Sequence, residues 1–317
     1  MRVGIVFAFS SYLLWGLFPI YFVALAPATP LEIVAWRILL SLLFCALLIT
    51  VTRAWRRFGA LLRNWRVAGA FAIAGALIYV NWLVYVIATQ TNHIVEASLG
   101  YFINPIVTVL LGVLLLREKL RPLQWLAVGL AGAAVLVLTI GYGQIPLIAL
   151  VLAVTFAFYG YVKNRAGRVD AVSGLTLETL WLAPIALGQL LIIGATSGIA
   201  LGAHGPWHAF LLSMAGVVTA IPLLFFAGAA RRIPLVYVGL IQFSSPILQF
   251  AVGVFVFAEP MPLERLIGFA IVWLACVLMV IDSLRHGRRA RLSVPEADEN
   301  DPLGEVALDS IDDARNR

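Results

Sequence analysis

The chain is predicted to be an all-α integral membrane protein whose ten transmembrane helices form two inverted five-helix repeats. Three features carry that prediction: an apolar composition, ten apolar runs of membrane-spanning length, and an internal duplication across which loop charge alternates. Of the 317 residues, 62% are hydrophobic and 12% charged, with a mean hydropathy of +0.99. A soluble domain is about 45–50% apolar and about 25% charged, so this much apolar surface has no aqueous core to hide in. The two cysteines, Cys45 and Cys276, both sit in apolar runs, and the four histidines are scattered. No disulfide framework, metal site or cofactor is expected. The net charge of +6 comes in short clumps between apolar stretches. That pattern orients a protein in a bilayer and does not form a basic groove for nucleic acid.

A helix needs about 20 apolar residues to cross a hydrocarbon core of about 30 Å. The first such run, 4–25, ends in Ala24-Leu25-Ala26, which resembles a signal-peptidase site. It is too long for the apolar core of a leader and Pro27 follows at once, so it is read as a retained span. The second, 31–52, carries Glu32 and Arg37; the third, 67–89, carries Asn81, Trp82 and Tyr85. The fourth, 95–116, opens on Glu96 and contains Pro105; the fifth, 122–140, holds the small residues Ala127, Gly129, Ala131 and Gly132. Then come 145–163 with Tyr159, 174–196 with Glu178, 207–230 with Phe226, 235–257 with Pro246, and 263–283. A membrane barrel would need segments of about 10 residues that alternate in polarity. The run 107–116 does not alternate. The stretch 286–317 carries eight acids and little to bury, and reads as a disordered acidic tail.

Basic residues sort the loops. Setting aside Arg37 within a span and Arg315 and Arg317 in the tail, 18 of the other 19 Lys and Arg lie at the start, in alternate loops or just past the last span. Only Arg265 falls in the opposite set. Positive loops stay inside, which predicts a bacterial cytoplasmic-membrane protein with both termini cytoplasmic.

A shift of 141 aligns 95–118 with 236–259 without a gap, matching 8 of 24 positions, among them Phe102/Phe243, Pro105/Pro246, Gly112/Gly253 and Glu118/Glu259. A shift of 144 pairs Trp15-Gly16 with Tyr159-Gly160. The units are 1–142 and 143–285. Each holds five spans, an odd number, so the second enters the membrane from the opposite side. Similar halves of opposite orientation can exchange conformations, opening a site between them to one face and then the other.

Several strings resemble the EamA-type drug/metabolite transporters, and within them the RarD group: Trp15-Gly16-x-x-Pro19-x-Tyr21, Asn81-Trp82, EASLGYFINP at 96–105, Phe156-x-Phe158-Tyr159-Gly160, and Glu178-Thr-Leu-Trp-Leu-x-Pro184. The resemblance covers about 1–285. Near Pro246 the group tends to read Gln-Tyr-Ile-x-Pro, whereas this chain has Gln242-Phe243-Ser244-Ser245-Pro246, which removes a phenol and adds a hydroxyl. The resemblance implies export or exchange of small metabolites or amphiphilic drugs.

Polar side chains at depth in hydrocarbon must pair or face a wet cavity. Candidates for the lining of such a cavity are Asn81, Asn104, Gln242, Ser244 and Ser245, with the aromatics Trp15, Trp82, Tyr85, Tyr101, Tyr159, Phe226 and Phe243. The alternative is interhelical glue and plain packing. Pro105 and Pro246 are candidate hinges, since proline removes an N–H and clashes with the preceding turn. Glu32, Arg37, Glu96 and Glu178 are the charge or coupling candidates. Arg37 lies about 10 Å below the outer border at 1.5 Å per residue, near enough in depth for a pair with Glu96. Glu32 and Glu178 are expected at opposite rims. The carboxylates could bind a proton or a cationic solute, or be one structural ion pair plus two rim groups in water.

No nucleotide-binding, zinc-protease or nucleophile-elbow motif is present, so neither an ATP-driven pump nor an enzyme is expected. A secondary carrier is the reading, with a small-molecule solute, protons as a candidate co-substrate and the bilayer as partners. A channel-like permease, a scaffold and a lipid-acting enzyme are the alternatives. The sequence names neither the solute nor the oligomeric state.

Overall fold

The computed structural model describes residues 2–292 apart from 118, 144 and 168, and among these every regular element is helical. The helices are α1 (Arg2–Ala24), α2 (Pro30–Val51), α3 (Trp55–Arg63), α4 (Trp65–Gln90), α5 (Ile94–Leu116), α6 (Pro122–Tyr142), α7 (Leu147–Arg165), α8 (Ala171–Thr196), α9 (Gly205–Ser213), α10 (Ala215–Ala230), α11 (Leu235–Ile241), α12 (Ser244–Ala251) and α13 (Leu263–Leu292). A π turn, Val252–Val256, continues α12. Ten helical runs are long and apolar enough to cross a bilayer, at the ten places read from hydropathy. Many large apolar side chains, such as Leu43, Leu191 and Phe255, point outward, as lipid requires.

Local chemistry sets the ends. Thr29 caps α2 by accepting the Glu32 amide at 3.3 Å, with Pro30 at the first helical position. Asp170 caps α8 through the Ser173 amide at 3.0 Å. The eighth span divides at Met214 into α9 and α10, and the ninth is interrupted at Gln242-Phe243. The last helix continues to Leu292, so the tail boundary at 286 moves seven residues on; 293–317 lie outside the described residues, as does Glu118.

The short helix α3 was not expected. It lies in the arginine-rich connection between the second and third spans and sinks Phe58 among Ile49, Phe71 and Leu177 while Trp55 stays exposed.

α1 packs on α10 and α12, α7 on α4 and α5, α2 on α8, and α6 on α13. The largest apolar cluster joins α1, α2, α4, α7, α8 and α10, and a second joins α5, α6, α7 and α13. Glycines let the helices close up. A Cβ on Gly16 would meet Leu248 at 2.8 Å, and one on Gly100 would meet the Ala149 carbonyl at 2.7 Å.

Candidate functional site

Arg37 lies two turns into α2, 4% exposed, in the middle of the main cluster. Its guanidinium stacks over the Trp82 ring at 4.1 Å and faces Phe22 at 5.2 Å and Phe18 at 5.5 Å. Its Nε donates to Thr219 Oγ1 at 2.7 Å, a bond from α2 to α10. The expected Arg37–Glu96 pair does not form. Glu96 instead accepts the Ile148 amide at 3.0 Å, holding the first turn of α7. Depth arithmetic places two residues along the membrane normal but not around their helices, and here Arg37 turns to α10 while Glu96 turns to α7.

Glu178 is not a rim carboxylate in water. It is 1% exposed and pairs with Lys163 at 2.8 Å, and the Tyr159 hydroxyl donates to it at 3.2 Å. Lys163 also donates to Tyr159 at 2.8 Å and lies over the Phe71 ring. Glu32 is equally dry, at 1% exposure. It accepts the Ala200 amide at 2.8 Å, the Leu201 amide at 3.3 Å and the Trp36 indole N–H at 3.3 Å.

Glu259 is a third carboxylate turned to backbone. It accepts the first amides of α5, from Ile94 and from Val95 (3.0 Å), and Arg265 stands 3.9 Å away. Burial pushes this carboxyl above the ordinary range, against the pull of the Val95 and Ile94 amides, Arg265 and His93. Glu259→Ala leaves two buried donors without an acceptor and is expected to lower stability by about 1–3 kcal/mol. Thermal unfolding of the purified variant checks it, and Glu259→Gln, which keeps one acceptor, should lose less.

The lining candidates divide into groups. A file of rings runs from Phe22 to Tyr85, Tyr101, Phe156 and Tyr159, with centroids 5.7–6.0 Å apart at each step. It joins the surroundings of Arg37 to Glu178. Asn81 fixes its middle, accepting the Tyr101 hydroxyl at 3.1 Å and donating to Thr155 Oγ1 at 3.0 Å and the Leu152 carbonyl at 3.1 Å. Trp15 and Phe226 form a separate aromatic group with Tyr12. Asn104 bonds to the Ala153 carbonyl, Ser244 donates back across the interruption to the Ile241 carbonyl that ends α11, and Phe243 packs in the second cluster. Ser245 accepts from Gln249, which also donates to the Trp15 carbonyl at 3.1 Å. Gln242 closes α11.

The two prolines differ. α5 runs through Pro105 as one helix, whereas Pro246 sits in the first turn of α12, just after the interruption. The Gln242 carbonyl, which a proline cannot reach, takes the Ser245 amide at 3.2 Å instead.

Sequence reasoning missed Lys163, Thr219 and Asp282. Lys163 ends a span and was counted as a loop charge. Thr219 gives no signal as a lone hydroxyl in an apolar run. Asp282, within α13, pairs at 2.7 Å with Arg121, the residue that precedes α6. A surface groove of about 510 Å³ over α3, lined by Trp55, Arg56, Gly59, Ala60 and Arg63, holds none of the candidates.

Residues 2–140 match the EamA-like transporter family. The chain is 46% identical over 296 residues to "Protein RarD" of Streptomyces exfoliatus, covering 93% of this chain and 94% of that protein. It is 39% identical over 294 residues to "Uncharacterized transporter YojE" of Bacillus subtilis (strain 168), covering 92% and 97%. A solved crystal structure superposes with a TM-score of 0.55 at 18% identity, covering 88% of this chain and 97% of that one, a likeness of fold. With ten apolar spans and relatives aligned over nearly their whole length, this chain belongs to the EamA-like transporter family as one of its RarD-like members.

Proposed function

We propose that this membrane transporter is a secondary carrier that works by alternating access between two inverted five-helix halves, 1–142 and 143–285. The observation that carries the reading is a matched pair of contacts. The Asn81–Thr155 bond joins the third span to the sixth, and Ser11 Oγ donates to the Pro222 carbonyl at 2.7 Å, joining the first span to the eighth. The shift of 141 takes Asn81 to Pro222, and the shift of 144 takes Ser11 to Thr155. A polar contact between the halves thus recurs at equivalent places, from side chain to hydroxyl in one and from hydroxyl to main-chain carbonyl in the other. Packing follows suit: α7 lies on α4 and α5 as α1 lies on α10 and α12. A scaffold has no use for such exchangeable surfaces.

In this reading protons act at Glu178, where an arriving proton would release Lys163. Loop charge supports both termini inside, and export or exchange across the cytoplasmic membrane is what the likeness to the EamA-like transporters implies. The contacts agree with the sidedness. Arg121–Asp282 and Lys163–Glu178 each link ends assigned to the basic face, and Glu32–Ala200 and Glu259–Val95 link ends assigned to the other.

Two measurements test it. Cys45 and Cys276 are both buried, so a labelling background is already low. Single cysteines at Arg57 and Asn164 should react only from the cytoplasm, and those at Asn92 and Gly202 only from outside. A mixed result would break the span count. In proteoliposomes loaded with a solute that shifts thermal unfolding, a carrier gives saturable counterflow with an overshoot. A channel gives flux without overshoot, and a scaffold gives none.

A further inference from the structure

Among the described residues Arg37 is a buried cation with no carboxylate partner. Glu178 is neutralised by Lys163, Glu32 is spent on the Ala200 and Leu201 amides, and Glu96 holds the Ile148 amide. Among the described residues no carboxylate comes within 4.0 Å of Arg37, and its bond to Thr219 uses Nε alone, leaving both terminal nitrogens of the guanidinium without an acceptor. A buried cation without a counterion is costly, and stacking on Trp82 offsets only part of that.

Two further polar atoms at this place are orphaned. The Tyr85 hydroxyl is buried and has no partner; its ring lies 6.0 Å from Phe22, which Arg37 also faces. The Ser41 hydroxyl, one turn along α2 on the face of Arg37, is buried and unpartnered as well. The electrostatic neighbours of the guanidinium are the phenols of Tyr101, Tyr21 and Tyr85 and no acid. One anion would complete the set: a planar fork of free N–H donors suits a carboxylate in bidentate contact, and hydroxyls flank it. The walls are rings, namely Phe22, Trp82, Tyr85 and Tyr101.

We propose that Arg37 receives the carboxylate of a small aromatic organic acid, with Tyr85 donating a second hydrogen bond and the ring of the solute lying among Phe22, Trp82 and Tyr101. The site rests on the carrier reading for its purpose but not for its existence. Purified protein is titrated with phenylacetate and indole-3-acetate and with the matching amides, following Trp fluorescence and thermal unfolding. The acids should bind more tightly than the amides by roughly 10- to 100-fold, the range expected for hydrogen bonds to a charged group. Arg37→Met should lose that preference and yet melt at a higher temperature than the parent, because an uncompensated charge has been replaced by an apolar chain of similar length. Arg37→Lys should keep part of the preference. Equal affinity for acid and amide, no binding of either acid, or an Arg37→Met protein that melts lower or still prefers the acid would overturn the proposal. Equal affinity for acid and amide alongside saturable counterflow of another solute would remove this site and leave the carrier. Acid binding with no counterflow of the same acid would do the reverse.

Discussion

Lys163→Met is expected to cost about 3–5 kcal/mol of stability, because it strands Glu178 as an unpaired charge that is 1% exposed. The reciprocal change, Glu178→Gln, should cost less. The Lys163 side chain is 30% exposed, and its ammonium can swing toward water on a flexible stem. Both variants keep Tyr159 beside the vacated position, so its hydroxyl retains one of its two partners. The double variant Lys163→Met with Glu178→Gln should recover most of the loss, since no charge is then left without its mate. A thermal or denaturant double-mutant cycle on the four proteins reads this directly, and additive losses would mean that the two side chains do not form a working pair.

Gly216→Ala carries the other strong expectation. An added Cβ would come within 2.5 Å of the Leu40 carbonyl oxygen and 2.6 Å of the Ser41 amide nitrogen. Both are backbone atoms and cannot rotate aside, so α2 and α10 must part. Overpacking of this kind costs about 1–3 kcal/mol, sometimes more. Here it would also draw Thr219 away from Arg37, one turn further along α10. Gly129→Ala is the control. Nothing lies within 4 Å of that position, so removing a helix-weakening glycine should raise stability by up to about 1 kcal/mol. Melting temperatures of the two variants should therefore move in opposite directions.

Why some of this was legible beforehand follows from the physics of each feature. The ten spans were readable because solvation by lipid demands one long apolar run per crossing, whatever its neighbours. The missing N–H led to the same expectation at Pro105 and Pro246, yet the ninth span is interrupted just before Pro246 while α5 runs through Pro105 as one helix. Helix α3 was hidden because nine residues bearing Arg56, Arg57 and Arg63 look like a charged loop until Phe58 is seen to be buried. The partners of the carboxylates were the least legible part. Glu32, Glu96 and Glu259 all bind backbone amides, which every residue possesses and no sequence singles out. Glu178 was assigned to the water border because Lys163 had been sorted with the connections, although the two share one enclosure.

The interruptions of the eighth and ninth spans have a mechanical consequence. Their counterparts α4 and α5 are unbroken rods of 26 and 23 residues. The later pair is jointed at Met214, at Gln242-Phe243 and through the π turn at Val252–Val256. A single helix tilts as a whole, whereas a span built of shorter helices can turn where one ends and the next begins. The two halves, cut to one pattern, therefore differ in build: the first stands on single struts and the second on articulated ones.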